Sequence, residues 1–169
     1  MDAQGIFIAL GANLEYPHHQ LLKAIESLKN KGIVPTKYSA IYETTPFQTP
    51  TTQPNYLNAV LQVDTQLEPH QLLYALLEIE KDLGRVRNKK FEARMIDLDL
   101  LAFHNQVINT ANLIIPHPLI QHRAFVLIPW AEIAPNFLLP TLNKTISQLL
   151  DNLPLKLIKE VSLTNYTFI

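Results

Sequence analysis

Asp97-Leu98-Asp99 stands inside an otherwise apolar run that ends at Phe103. In a strand alternate side chains share a face, so the two carboxylates would sit side by side. Their like charges repel, and burial adds to the cost. A divalent cation would relieve both, and oxygen donors in a chain without cysteine favour Mg²⁺. A sheet face open to water accommodates the same spacing by solvating both groups. Just ahead lies a basic set, Arg85, Arg87, Lys89, Lys90 and Arg94. Guanidinium forks suit phosphate oxygens, and Mg²⁺ on two aspartates needs such oxygens to complete its shell. The dipole of a preceding helix accounts for Arg85 and Arg87 on its own, but not for Arg94. Acid pair and basic loop together read as a polyphosphate site.

Three other groups carry possible chemistry. His117 lies between Pro116 and Pro118, so its backbone is stiff and its ring is confined to few directions. Arg123 precedes the apolar Ala124-Phe125, where an unpaired buried guanidinium would be costly. In Tyr56-Leu57-Asn58 the aromatic and the amide share a strand face. That pair could stack on, and hydrogen-bond to, a flat heterocycle, though an ordinary sheet-face pair has the same spacing.

The bulk composition narrows the choices. At 169 residues, 47% hydrophobic and 17% charged, the chain is expected to form one domain, 1–169, with a real core. The net charge of −1 gives no long-range attraction to nucleic acid or anionic membranes. Four glycines, where about 12 are usual for this length, leave no way to write a glycine-rich phosphate loop. Any phosphates must therefore meet side chains and metal. The acidic Asp2, the lack of a basic leader and the absence of an apolar run near 20 residues predict a cytoplasmic protein with no membrane partner.

The elements that must position these residues follow from periodicity. A strand is expected over Gly5–Leu10, with Gly11-Ala12-Asn13-Leu14 as a strand-to-helix turn. A helix is expected over residues 18–31, then a strand over Lys37–Thr44 and a proline-rich loop over 45–55. Tyr56–Thr65 alternates as a strand and Pro69–Leu83 repeats as a helix closed by Gly84. Residues 85–94 form the basic loop, and Met95–Phe103 is a strand with Asp97, Asp99 and Leu101 on one face. Asn105–Asn109 reads as a turn into a short strand. Residues 119–134 read as a helix interrupted at Pro129, 145–152 as a short helix and Leu155–Val161 as a last strand. The β-α-β-β-α-β order predicts an α+β, ferredoxin-like core: an antiparallel sheet with helices packed on it, plus small C-terminal elements. A binding module without chemistry could share this topology, but it gives no reason for the acid pair beside an arginine loop. An RNA-binding sheet would need basic and aromatic strand residues that are not there.

These pieces, in this order, resemble the 6-hydroxymethyl-7,8-dihydropterin pyrophosphokinase family of the folate pathway. The resemblance runs from about Phe7 to Pro135. It rests on Gly11-Ala12-Asn13-Leu14, Tyr42-Glu43-Thr44, Gln53-Pro54-Asn55-Tyr56-Leu57-Asn58 and the helix end Ile79-Glu80 through Gly84-Arg85-Val86-Arg87. It continues through Arg94-Met95-Ile96-Asp97-Leu98-Asp99-Leu100, Pro116-His117-Pro118 and Arg123-Ala124-Phe125, and closes on Glu132-Ile133-Ala134-Pro135. The resemblance implies transfer of the terminal pyrophosphoryl group of ATP to the pterin hydroxymethyl oxygen, with release of AMP. Asp97 and Asp99 would hold two Mg²⁺ ions. Arg87, Arg94, His117 and Arg123 would bind phosphates, and Arg85 would assist the chemistry or product release. Tyr56 and Phe125 would sandwich the pterin, Asn58 would read its edge, and the backbone around Thr44, Thr45 and Phe47 would add hydrogen bonds. Glu80, Phe91 and Leu100 would lie on the adenosine side. Leu77, Asn112 and Ile114 stand where relatives often carry polar or basic groups. The expected partners are the two small substrates, acting on a monomer.

Overall fold

The computed structural model describes residues 4–45, 54–84 and 96–169. Its centre is β1 (Ile6–Ala12), every residue of which is buried. A strand reads as one apolar run when both faces of its sheet are covered. α1 (Pro17–Asn30) starts on Pro17 and buries Leu21, Ala24, Ile25 and Leu28, one stripe of a 3.6-residue period. β2 (Val34–Tyr38) and β3 (Tyr42–Thr44) lead to β4 (Tyr56–Asp64). α2 (Pro69–Asp82) opens on a capping box between Glu68 and Gln71 and buries Leu72, Leu76, Ile79 and Glu80. β5 (Asp97–Phe103) completes the β-α-β-β-α-β unit.

The remaining elements are short. They are the hairpin of β6 (Ile108–Asn109) and β7 (Ile114–Ile115), a 3-10 turn at Ile120–His122, and α3 (Ala124–Ile133). After them come the hairpin of β8 (Leu138–Leu139) and β9 (Lys144–Thr145), α4 (Ile146–Asp151), α5 (Leu155–Lys159) and β10 (Val161–Leu163).

The main sheet runs β10-β3-β4-β1-β5, with β2 also paired to β4, and every pairing is antiparallel. One face carries Ile6, Ile8, Leu10, Leu57, Leu61, Leu98 and Leu100 into a core with α1 and α2. The other carries Phe7, Ala9, Val60 and Leu101 into a core with Trp130, Phe137 and Ile146. Phe7 sits with its ring centroid 5.1 Å from that of Trp130 and 4.8 Å from that of Phe137. The antiparallel ferredoxin-like sheet with helices packed on it is as expected, and the elements after β5 cover its second face as well.

Several local expectations give way. The single strand over Lys37–Thr44 is two. β2 pairs with the Leu61–Asp64 end of β4, with a register shift between Pro35 and Lys37, and β3 pairs with Tyr56–Asn58. Pro35 has no N–H for the ladder, and Ser39 bridges the gap, its Oγ accepting the Val60 N–H at 2.9 Å. Gly11 and Ala12 belong to β1 rather than to a turn. Helix α3 starts at Ala124, because Arg123 is extended (φ −119°, ψ 98°), and Pro129 removes a helical hydrogen bond without ending the helix. The last strand begins only at Val161. Leu155–Lys159 coil into a turn of helix after Pro154, which lets the adjacent Leu157 and Ile158 both lean on the second core. The expected start of β5 at Met95 lies outside the described residues.

Trp130 has 0% exposure, and its indole Nε1 has no hydrogen-bond partner among the described residues. Its contribution is therefore ring packing. Trp130→Ala is expected to cost about 4 kcal/mol, and Trp130→Phe less than half of that, in urea unfolding of the full chain. Equal losses in the two variants would contradict the packing account.

Candidate active site

The functional face is built by register. Gly11 of β1 lies opposite Asn58 on one side and Asp97 on the other, and Tyr42 of β3 lies opposite Asn58. One row of the sheet therefore reads Tyr42, Asn58, Gly11, Asp97. The next row, toward the second core, reads Val60, Ala9, Asp99. Cross-strand neighbours share a face, so these side chains emerge on the side that carries α3. A Cβ placed on Gly11 would come within 3.4 Å of Asn58 Oδ1, tighter than most contacts. Glycine here leaves an open floor between an amide and a carboxylate. Two small residues, Gly11 and Ala9, thus separate the Asn58 side of the face from the aspartate side.

Asp97 and Asp99 are half-buried on β5, the edge strand. The edge is secured from two directions. Glu80 of α2, only 2% exposed, accepts the Leu98 N–H at 2.8 Å through Oε2. The His117 N–H donates to the Leu101 carbonyl at 2.9 Å, where the β1–β5 register shifts. The first bond fixes the strand between its two aspartates. The second draws the Pro116-His117-Pro118 segment alongside them.

Arg123 comes from the extended residue before α3. Its Nη1 lies 3.7 Å from Asp99 Oδ2, with both side chains about a quarter to a third exposed, and its guanidinium sits 5.7 Å from the Phe125 ring centroid. An ion pair this open contributes about 1 kcal/mol or less, so it leaves the cation free to be shared with an anionic ligand. His117 is pushed down to about 4, first by burial and then by the nearby Arg123, while Asp97 opposes the shift. The ring is therefore neutral at physiological pH. Its Nδ1 accepts the Leu119 N–H at 3.2 Å, which places the ring proton on Nε2 as a donor.

On the other side of Gly11, Asn58 Nδ2 donates to Thr44 Oγ1 at 2.8 Å, and both residues are 6% exposed. Tyr56 and Phe125 are half-buried, and Thr45 is exposed. Asn13 Nδ2 donates to the Pro54 carbonyl at 3.0 Å, tying the end of β1 to the start of the β4 segment. Spacing alone gave Asn13 no task, because its partner is 41 residues away. Leu100 is 5% exposed in the α1–α2 core, so toward a ligand it offers backbone only. Phe47, Arg85, Arg87, Phe91 and Arg94 lie outside the described residues.

The fit to a metal can be judged on the donor set. Among the described residues, no group of three or more His, Asp, Glu or Cys is gathered to hold an ion. Asp97 and Asp99 offer oxygens alone, with a cation and a neutral imidazole donor beside them. Such a pair suits Mg²⁺ that takes its other ligands from water and substrate phosphates, and does not suit a caged structural metal. A ferredoxin-like sheet with carboxylates, guanidinium and imidazole at one open end has the makeup of a phosphoryl-transfer enzyme.

Comparison with known proteins specifies the class. The family described as 7,8-dihydro-6-hydroxymethylpterin-pyrophosphokinase (HPPK) matches residues 7–135. The chain is 40% identical over 157 residues to the 2-amino-4-hydroxy-6-hydroxymethyldihydropteridine pyrophosphokinase of Haemophilus influenzae, covering 89% of this chain and 96% of that one. It is 41% identical over 140 residues to the enzyme of the same name from Pseudomonas aeruginosa, covering 81% and 85%. A folic acid synthesis protein of Pneumocystis carinii is 40% identical over 147 residues, 87% of this chain but 20% of that protein. Among solved structures, the HPPK-DHPS of Plasmodium falciparum with pteroate superposes with a TM-score of 0.69 at 16% identity, over 87% of this chain and 42% of that one. At that identity the superposition speaks to the fold alone. This chain belongs to the HPPK family, and it is a pyrophosphokinase.

The His117 shift has a consequence for stability. The unfolded ring takes a proton below about 6.5 and the folded ring only below about 4, so between these values the unfolded state binds more protons. Stability is complete above pH 6.5 and declines as pH falls toward 4, by up to about 3 kcal/mol. Urea unfolding without magnesium should show a shallower decline over this window for His117→Gln than for the wild type. Parallel declines would contradict the buried neutral ring.

Proposed function

We propose that the open end of the sheet holds MgATP over Asp97 and Asp99 and the pterin over Asn58, with Gly11 between them. The reaction is transfer of pyrophosphate from ATP to the hydroxymethyl group of 6-hydroxymethyl-7,8-dihydropterin, in folate synthesis. The hydroxymethyl oxygen bonds to the β-phosphorus and gives up its proton to water, the bond from that phosphorus to the α,β-bridging oxygen breaks, and AMP leaves. The observation that carries the reading is the row Asn58, Gly11, Asp97. It brings an amide suited to a heterocycle edge and a carboxylate suited to a metal onto one face, with glycine between them.

The roles follow from the groups. Asp97 and Asp99 are the carboxylates that would hold two Mg²⁺ ions. When bound, these would neutralise charge on the phosphate oxygens. Arg123 supports that neutralisation from the start of α3, and the neutral His117 donates from Nε2 without adding a charge. Asn58 has its orientation fixed by Thr44 and reads the pterin edge, while Tyr56 and Phe125 lie against its faces. Thr45 and Phe47 contribute backbone groups. Arg85, Arg87, Arg94 and Phe91 are assigned by motif alone: the arginines to the phosphates and the reaction, and Phe91 to the adenine. Glu80 and the Leu100 backbone line the adenosine side. Most of the acceleration would come from alignment and electrostatics, since the protein supplies no covalent step. We read the whole chain, 1–169, as one cytoplasmic, monomeric pyrophosphokinase domain.

The deciding experiment supplies ATP, Mg²⁺ and the hydroxymethyl dihydropterin and identifies the nucleotide product. AMP is expected, and ADP would overturn the reading. Asp97→Ala and Asp99→Ala should each lower kcat by about 10³-fold or more with little change in thermal midpoint. Retention of turnover in the double variant would remove the metal assignment.

A further inference from the structure

Glu132 sits in the last turn of α3, exposed to solvent, at the start of the Glu132-Ile133-Ala134-Pro135 run. One oxygen of its carboxylate reaches the segment between β2 and β3 and the other the first residue of β3. Oε1 accepts the Ala40 N–H at 2.7 Å and Oε2 accepts the Tyr42 hydroxyl at 2.5 Å. One residue on, the Ile133 carbonyl receives Lys37 Nζ at 3.4 Å. Helix α3 therefore grips the sheet at the place where the second strand is broken.

That break matters for the residues that follow it. β3 is three residues long; it pairs with β4 through Tyr42–Asn58, Glu43–Leu57 and Thr44–Tyr56, and with β10 through Tyr42–Leu163, Glu43–Ser162 and Thr44–Val161. Each of its two ladders is only three residues long, so side-chain contacts add to the backbone in fixing where its hydroxyl lands. Thr44 Oγ1 is the acceptor that orients the Asn58 amide. Tyr42, opposite Asn58 and two residues before Thr44, is the side chain that Glu132 holds. The Tyr42 phenol is pushed up to about 12 by burial and by the Glu132 carboxylate, so it remains a donor throughout the working pH range.

We propose that Glu132 is a positioning residue for pterin recognition: by clamping Ala40 and Tyr42 to the end of α3, it sets β3 so that Thr44 holds the Asn58 amide in its reading orientation. The inference rests on the reading of Asn58 as the group that meets the pterin edge. Glu132 itself touches neither substrate nor metal. Its effect is on the pterin side of Gly11 and not on the aspartate side.

The test measures KM for the hydroxymethyl dihydropterin and for MgATP separately, in the full chain and in Glu132→Ala, Glu132→Gln, Tyr42→Phe and Asn58→Ala. Glu132→Ala should raise the pterin KM by about 10-fold and leave the ATP KM within about twofold. Glu132→Gln should recover most of the loss, because its amide oxygen still accepts from Ala40 and its N–H can donate to the Tyr42 oxygen. Tyr42→Phe, which removes one of the two bonds, should raise the pterin KM by about threefold. A merely structural role would lower the thermal midpoint or the active fraction and leave both KM values unchanged, or move them together. Either result, with Asn58→Ala still raising the pterin KM, would overturn the clamp alone. An unchanged pterin KM in Asn58→Ala would instead overturn the pterin reading, and the proposal with it. Should Glu132→Ala fail to fold, Glu132→Gln and Tyr42→Phe decide: a pterin KM unchanged in Tyr42→Phe overturns the clamp.

Discussion

The backbone ladder that ties β1 to β4 on one side and to β5 on the other governs every other feature of the functional face. Side chains alternate along a strand, so a shift of one residue in either pairing would turn Asn58 or the aspartates toward α1 and α2. The registers Gly11–Asn58 and Gly11–Asp97 prevent that. They are reinforced by burial, because the same registers send Ile8, Leu10, Leu61 and Leu98 into one core and Phe7, Ala9 and Val60 into the other. Moving any strand would expose two sets of apolar side chains at about 25 cal/mol per Å². The rigidity of the site is thus a by-product of a sheet that is covered on both faces.

On that frame the charges divide cleanly. The edge strand carries the two carboxylates, and the segments that lean on its outer side bring Arg123 and His117. Only one of the two is cationic, since His117 is held neutral by the same burial that fixes its ring. The neutral ring supplies a hydrogen-bond donor without adding another repelling positive charge near Arg123. The scarcity of glycine fits this design. Where a phosphate loop uses backbone N–H groups freed by glycine, this face presents side chains, and Gly11 leaves open floor between Asn58 and Asp97.

The Asn58 side of Gly11 depends on side-chain connections between separate elements. Thr44 orients Asn58, and Asn13 reaches Pro54. Glu132 meets Ala40 and Tyr42. Thr44–Asn58 links the neighbouring strands β3 and β4, whereas the other two join elements far apart in the chain through the irregular stretches around Pro54 and Ala40. Such stretches have few ladder bonds of their own, so single side-chain contacts set their position.

The sequence by itself determined the order and type of the main elements, the pairing of Asp97 with Asp99 on one face, and the membership in a family whose motifs lie in order from Gly11 to Pro135. Periods of 2 and 3.6 and local caps carry that information, because they are local properties of the chain. The sequence did not reveal the break at Ser39, the helix at Leu155–Lys159, or the bonds of Glu80 to Leu98 and of Glu132 to Tyr42. A proline in a ladder and a short apolar run are each compatible with more than one local structure. Only packing against β4 and the second core selects between them. The two carboxylate contacts span 18 and 90 residues, and no local period encodes a distance of that kind. The tertiary structure decided them, by closing the sheet and laying α2 and α3 across it.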